Sequence, residues 1–112
     1  MELEATEVSG VTKVVLTGRL DTAGVSKNEA RFSAAIVPLA KPAVIDLSAV
    51  TFLASLGVRM LISTSRALSW KGSKLALYGA TPAVMEIIET TLLHEIVPVT
   101  ETEAEALQLV KA

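Results

Sequence analysis

Few side chains in this sequence are of a type that does chemistry, and fewer still are grouped. There is no cysteine and a single histidine, His94. Disulfides and thiolate metal sites are therefore excluded, and a lone histidine in a loop gives no basis for a metal cluster or a catalytic triad. The acids fall into two runs, Glu2, Glu4 and Glu7 near the amino terminus and Glu101, Glu103 and Glu105 near the carboxyl terminus. Neither run forms a convincing acid–base pair, and both are expected to be solvated faces. Gly18, Gly57 and Gly72 do not build a phosphate-cradling loop. No enzyme constellation emerges, so neither hydrolase, transferase nor oxidoreductase activity is expected, and no cofactor.

Ser55 is the exception. It stands immediately before a strongly helical pattern, where its hydroxyl is expected to cap the helix by accepting a backbone N–H, a contribution of about 1 kcal/mol. A helix start also carries partial positive charge and unpaired donors, so it tolerates a phosphate. A serine at such a junction can be modified without unfolding the domain. Arg59 lies four residues later, on the same helical face. It is either a surface arginine whose stem covers apolar area or a cation for phosphoserine or an acidic partner.

The elements that must hold these residues follow from hydrophobic period. Leu3–Val8 and Val11–Leu16 predict a hairpin turned at Ser9-Gly10. Asp21 or Thr22 is placed to cap a helix predicted over Asn28–Leu39, with Phe32, Ala35, Ile36 and Leu39 on one face and Pro38 ending it. Ala43–Leu47 predicts a buried strand, ended by the turn formers Asp46-Leu47-Ser48 and followed by an apolar link, Val50–Leu53. The helix opened by Ser55 is expected to run to about Trp70, with Lys71-Gly72 as its stop. A strand at Lys74–Tyr78 and a helix started by Thr81-Pro82 follow. That helix buries Val84, Ile87 and Ile88 and solvates Glu86 and Glu89. A short strand at Ile96-Val97 and a last helix over Thr100–Ala112, with Ala104, Leu107 and Val110 inward, complete the chain. Trp70 and Tyr78 are expected at or near the core.

The predicted order is β-β-α-β-α-β-α-β-α. It implies an α/β fold with a mixed sheet, about four helices and right-handed crossovers. A chain of 112 residues is expected to be one domain spanning residues 1–112, able to bury roughly two-thirds of its unfolded surface. The formal charge of −2 gives no reason to expect nucleic acid or an anionic membrane surface as partner. The longest apolar run, Ala34–Ala40, contains Pro38 and is too short to span a bilayer. The acidic amino terminus lacks the parts of a signal peptide, so a cytoplasmic protein without membrane insertion is expected.

Val44-Ile45-Asp46-Leu47-Ser48, then Val50-Thr51-Phe52, then Ser55-x-Gly57-Val58 resembles the core signature of STAS domains, the sulphate-transporter and anti-sigma-antagonist family. The family's wording is an apolar strand, Asp-Leu-Ser, an apolar link, then Asp-Ser-Ser/Thr-Gly-Leu-Gly opening a helix. Gly18-Arg19-Leu20-Asp21 resembles its Gly-x-Leu-Asp turn near the partner-binding surface. The resemblance implies a stand-alone anti-sigma factor antagonist. Such a protein binds a kinase-type anti-sigma factor and is switched when that kinase phosphorylates the serine matching Ser55. It places Asp21, Thr22, Leu53, Ala54, Leu56, Gly57 and Arg59 at the partner surface. The chain departs from the family at Ala54, in place of Asp, at Leu56, in place of Ser/Thr, and at Arg59, in place of Gly. A second reading within the family is a non-phosphorylated subunit of a lipid-transport ABC complex, for which Ala54 is no handicap.

Overall fold

The computed structural model covers Met1–Ala112. The elements are β1 Glu2–Val8, β2 Val11–Leu20, α1 Thr22–Ile36, β3 Ala43–Leu53, α2 Ser55–Trp70, β4 Leu75–Tyr78, α3 Pro82–Thr90, β5 Val99–Thr100 and α4 Glu103–Lys111. Single 3-10 turns lie at Val37–Leu39 and Leu93–Glu95. The order is the predicted one. The sheet has five strands in sequence order; β1 is antiparallel to β2, and β2 through β5 run parallel. Ser9 and Gly10 both take positive φ in the β1–β2 turn, the conformation a two-residue hairpin requires.

Two apolar layers sandwich the sheet. On one face Val14, Leu16, Ile45, Leu47, Leu75 and Leu77 pack against Phe32 and Ile36 of α1, Met60, Leu61 and Leu68 of α2, and Val84 and Ile88 of α3. On the other face Val44, Ala76 and Tyr78 pack against Ala106 and Val110 of α4. β3 and β4 feed both layers; Ala43–Ile45 of β3 and all of β4 are buried and apolar without alternation, as expected where a strand is covered on both sides.

Several expected boundaries move. β2 continues through Gly18 to Leu20, so Gly18-Arg19-Leu20 is strand rather than turn. β3 does not end at Asp46-Leu47-Ser48. The Asp46 carboxylate accepts the Ser48 amide at 2.9 Å and its hydroxyl at 2.7 Å, yet the strand runs on to Leu53. The local turn is absorbed as a register shift, with Val15 opposite Asp46 and Thr17 opposite Ala49, because the long β2 supplies partners beyond it. Helix α1 starts earlier than Asn28, at Thr22. Its buried face is Val25, Asn28, Phe32 and Ile36, and Leu39, past Pro38, is 54 % exposed.

The fifth strand is Val99–Thr100, not Ile96-Val97. Pro98 has no N–H to give a ladder, but its carbonyl accepts the Leu77 amide at 2.9 Å, so pairing starts there. Helix α4 starts at Glu103, behind a capping box between Thr102 and Glu105; Val110 is buried as expected and Leu107 is half-buried against the core, but the inward position at the start of the helix is taken by Ala106 while Ala104 is exposed. Trp70 is 89 % exposed, contrary to a core position, because it falls at helical spacing on the solvent side of α2, opposite the buried Leu61, Thr64 and Leu68. No helix is long and apolar enough to cross a membrane.

Candidate functional site

The parallel pair β2–β3 ends with Leu20 opposite Leu53. Each strand hands over to a helix one residue later, so the starts of α1 and α2 lie side by side at the same edge of the sheet. The Ala54 amide donates to the Leu20 carbonyl at 2.9 Å and fixes that arrangement. Asp21, Thr22, Leu53, Ala54, Ser55, Leu56, Gly57 and Arg59 thus all belong to two adjoining helix starts. Thr22, Ser55 and Arg59 are exposed, Asp21, Ala54 and Leu56 half-buried, and Leu53 and Gly57 buried.

The two helix starts are capped differently. Asp21 is the N-cap of α1, and its Oδ1 accepts the Gly24 amide at 2.8 Å. That hydrogen bond, aided by the nearby Arg19 guanidinium, holds the Asp21 carboxyl below its ordinary range. The N-cap of α2 is Ala54, in an extended conformation and with no side chain to offer. The expectation that Ser55 caps this helix is therefore corrected: Ser55 is the first helical residue, one position too late. Its exposed hydroxyl sits beside first-turn amides that no side chain caps.

Gly57 sets how closely α2 approaches the strands. A Cβ there would lie 2.9 Å from Leu53 Cδ1, 3.1 Å from the Leu20 carbonyl oxygen and 3.2 Å from Leu20 Cβ. A side chain there would have to move the Leu53 tip aside and would crowd the end of β2 at Leu20.

Two residues of this edge escaped the sequence reading. Arg19 lies 3.7 Å from Asp21 through Nε and stacks over the Phe52 ring at 4.5 Å. Arg19 and Phe52 are direct neighbours across the β2–β3 ladder. An arginine in a strand that projects past a turn-like glycine carries no signal until the strand's true end is known. The guanidinium places fixed positive charge beside the Asp21 cap.

Elsewhere, an open depression of about 850 Å³ lies between the starts of α3 and α4 and includes Pro82, Met85, Glu101 and Glu105. Glu105 is committed to the capping box with Thr102. No three His, Cys, Asp or Glu side chains are grouped to hold a metal ion. On the α4 face Lys13 pairs with Glu103 at 2.8 Å, and that contact raises the Lys13 ammonium above its ordinary value. Burial, with Asp46 and Glu103 nearby, pushes the Tyr78 hydroxyl up to about 12.

The model of the STAS domain family matches residues 2–106. No curated protein matches the chain. Among solved structures, an anti-sigma factor antagonist from Mycobacterium paratuberculosis is 29% identical, with 99% of this chain and 94% of that one superposed at a TM-score of 0.88. An anti-sigma-factor antagonist (STAS) domain protein from Planctomyces limnophilus is 23% identical, with coverages of 96% and 95% and a TM-score of 0.81. The Bacillus cell fate determinant SpoIIAA in its phosphorylated form is 19% identical, with coverages of 96% and 98% and a TM-score of 0.65. The last two likenesses concern the fold alone.

Proposed function

This chain belongs to the STAS domain family, and from that premise we propose that it is an anti-sigma factor antagonist, acting by binding rather than turnover. Its partner is a kinase-type anti-sigma factor, and phosphorylation of Ser55 is the switch. One observation carries the reading. Ser55 is exposed at the first position of a helix whose amides no side chain caps, within an edge that also presents Thr22 and Arg59. A phosphate there meets free donors and the positive helix end, so it is accommodated by the fold while changing the surface by about two negative charges. The likeness to the Mycobacterium antagonist over 99% of the chain supports the same assignment. ATP belongs to the partner, and the site of action is cytoplasmic.

Ala54 favours a second reading. An acid at that position could orient the serine hydroxyl or contact a kinase, and Ala54 does neither. A non-phosphorylated STAS subunit of a lipid-transport ABC complex needs no such acid. Affinity capture of the native protein, with phosphosite mapping, separates the two. Recovery of a kinase and phosphate on Ser55 supports the switch; recovery of transporter subunits with unmodified Ser55 overturns it.

A further inference from the structure

Helix α2 carries a line of exposed side chains that the fold leaves without a partner. Arg59, Ser63, Arg66 and Trp70 are all exposed, and their spacings of three or four residues keep them on one face. The ion pairs of the molecule are Lys13–Glu103, Arg19–Asp21 and Lys41–Glu7; neither Arg59 nor Arg66 takes part in one. No acid stands on α2, and none occurs anywhere from Leu47 to Met85, a stretch that holds Arg59, Arg66, Lys71 and Lys74. The neighbouring helix α1 offers one acid, Glu29, which lines the shallow groove beside Ser63. The net charge of −2 thus conceals a helix face of a single sign. The face ends in the chain's only tryptophan, 89 % exposed.

We propose that this line is a second docking surface, and that its occupant is an acidic helix of the same protein partner that contacts the Ser55 edge. The inference rests on the proposed function but extends the contact well beyond it. Arg59 and Arg66 are about 10 Å apart along the helix axis, and Trp70 about 6 Å further on. A partner helix laid along α2 matches them with carboxylates one heptad apart and a small apolar socket one turn beyond. Arginine gives bidentate, charge-assisted hydrogen bonds to such carboxylates. Tryptophan and arginine are the residues that most often dominate binding energy when a contact closes over them. A lone exposed apolar side chain would need no partner; one placed at the end of an unpaired arginine line has a defined one. Because Arg66 and Trp70 lie away from Ser55, this surface holds the partner while the Ser55 edge is switched.

The test uses calorimetry with the purified kinase-type anti-sigma factor and four proteins: wild type, Ser55→Asp, Arg66→Glu and Trp70→Ala. The substituted side chains are exposed, and melting curves verify folding. Arg66→Glu and Trp70→Ala are each expected to weaken binding about tenfold or more. The Arg66→Glu loss should shrink at high salt and the Trp70→Ala loss should not. Emission from Trp70 should shift to the blue as the complex forms. If Ser55→Asp weakens binding while both α2 variants match wild type and the emission stays fixed, the docking surface is wrong and the proposed function stands. If wild type binds no such kinase, the proposed function falls, and a synthetic helical peptide with two glutamates one heptad apart and a leucine one turn beyond decides the surface alone. Its binding, read by Trp70 emission, is expected to be lost in the Arg59→Glu/Arg66→Glu double variant; absence of binding to wild type overturns the surface.

Discussion

The Leu20 carbonyl oxygen accepts the Ala54 amide at 2.9 Å, and a Cβ placed on Gly57 would come within 3.1 Å of the same oxygen. One backbone atom at the end of β2 therefore fixes both the cap of α2 and the depth at which its first turn sits. Leu20 also precedes Asp21, the cap of α1. The geometry of the two adjoining helix starts is thereby set by main chain, and the side chains they present inherit that rigidity.

Gly57→Ala should destabilise the protein, although glycine-to-alanine within a helix ordinarily gains up to about 1 kcal/mol. The added methyl can push the tip of Leu53 aside, but it cannot displace the Leu20 carbonyl without breaking the strand-end bond. Overpacking of this kind costs about 1–3 kcal/mol. A denaturant titration at constant slope measures it. A variant as stable as wild type would mean that α2 lifts freely from β2.

Ala54→Asp should act in the opposite sense. Ala54 already has the extended conformation of an N-cap, with φ −83 and ψ 167, so an aspartate can accept a first-turn amide without rearrangement. The expected gain is about 1 kcal/mol. It should fade as pH falls through the carboxyl's own pKa, because a carboxyl held low by its hydrogen bond stabilises only while ionised. Thermal melts at neutral and acid pH compare the two proteins; equal stability at neutral pH would contradict the bare-cap geometry.

Tyr78→Phe addresses the other face of the sheet. The Tyr78 hydroxyl is buried beside the Lys13 ammonium without a hydrogen bond of ordinary geometry, so its removal should change stability by no more than about 1 kcal/mol in either direction. The effect lies in the pH dependence. With the native hydroxyl at about 12 against an ordinary 10.0, the unfolded chain gives up this proton first as pH rises. Stability then falls between those values, and the raised Lys13 adds to the fall above 10.5. Tyr78→Phe should make the alkaline decline shallower. An unchanged slope in urea titrations across that range would rule out the assignment.

The elements most open to reading from sequence were those with strong local chemistry. Thr81-Pro82 opens α3 with both residues in their expected roles, and Ser9-Gly10 turns the hairpin. Where tertiary pairing competed with local preference, pairing won. Asp46 and Ser48 form their turn-like hydrogen bonds and still lie in a strand, because β2 runs alongside them. Asp21 offered a cap and a site in one residue, and its cap is plain in the structure. The exposure of Trp70 was open to reading from helical period, which sets it on the face of Arg59, Ser63 and Arg66; its apolar residue type pointed to the core instead, and the period prevailed. At the Ser55 edge, sequence located the helix start to within one residue, and that residue decides whether the serine hydroxyl caps the helix or stands clear of it.

The position of Ser55 changes what its variants should do. As the first helical residue rather than the cap, it loses little when replaced by alanine, so Ser55→Ala should melt within about 0.5 kcal/mol of wild type and keep partner affinity. Ser55→Asp places a carboxylate at the positive end of α2, where it is tolerated or slightly stabilising, by about 0.3–1 kcal/mol. Folding is therefore not the cause of any binding defect it shows. The same charge in a contact surface must be desolvated, and it meets repulsion if the partner is acidic there, so affinity should fall. Arg59, one turn along on the same face, can pair with the new charge and blunt the loss. The double variant Ser55→Asp/Arg59→Ala, corrected for Arg59→Ala alone, should thus show the larger Ser55-dependent drop. Calorimetric titration with the partner kinase, and with enzymatically phosphorylated wild type as reference, reads all of these. Equal affinity of the phosphorylated and unmodified folded proteins would eliminate the switch and leave the non-phosphorylated scaffold as the better account.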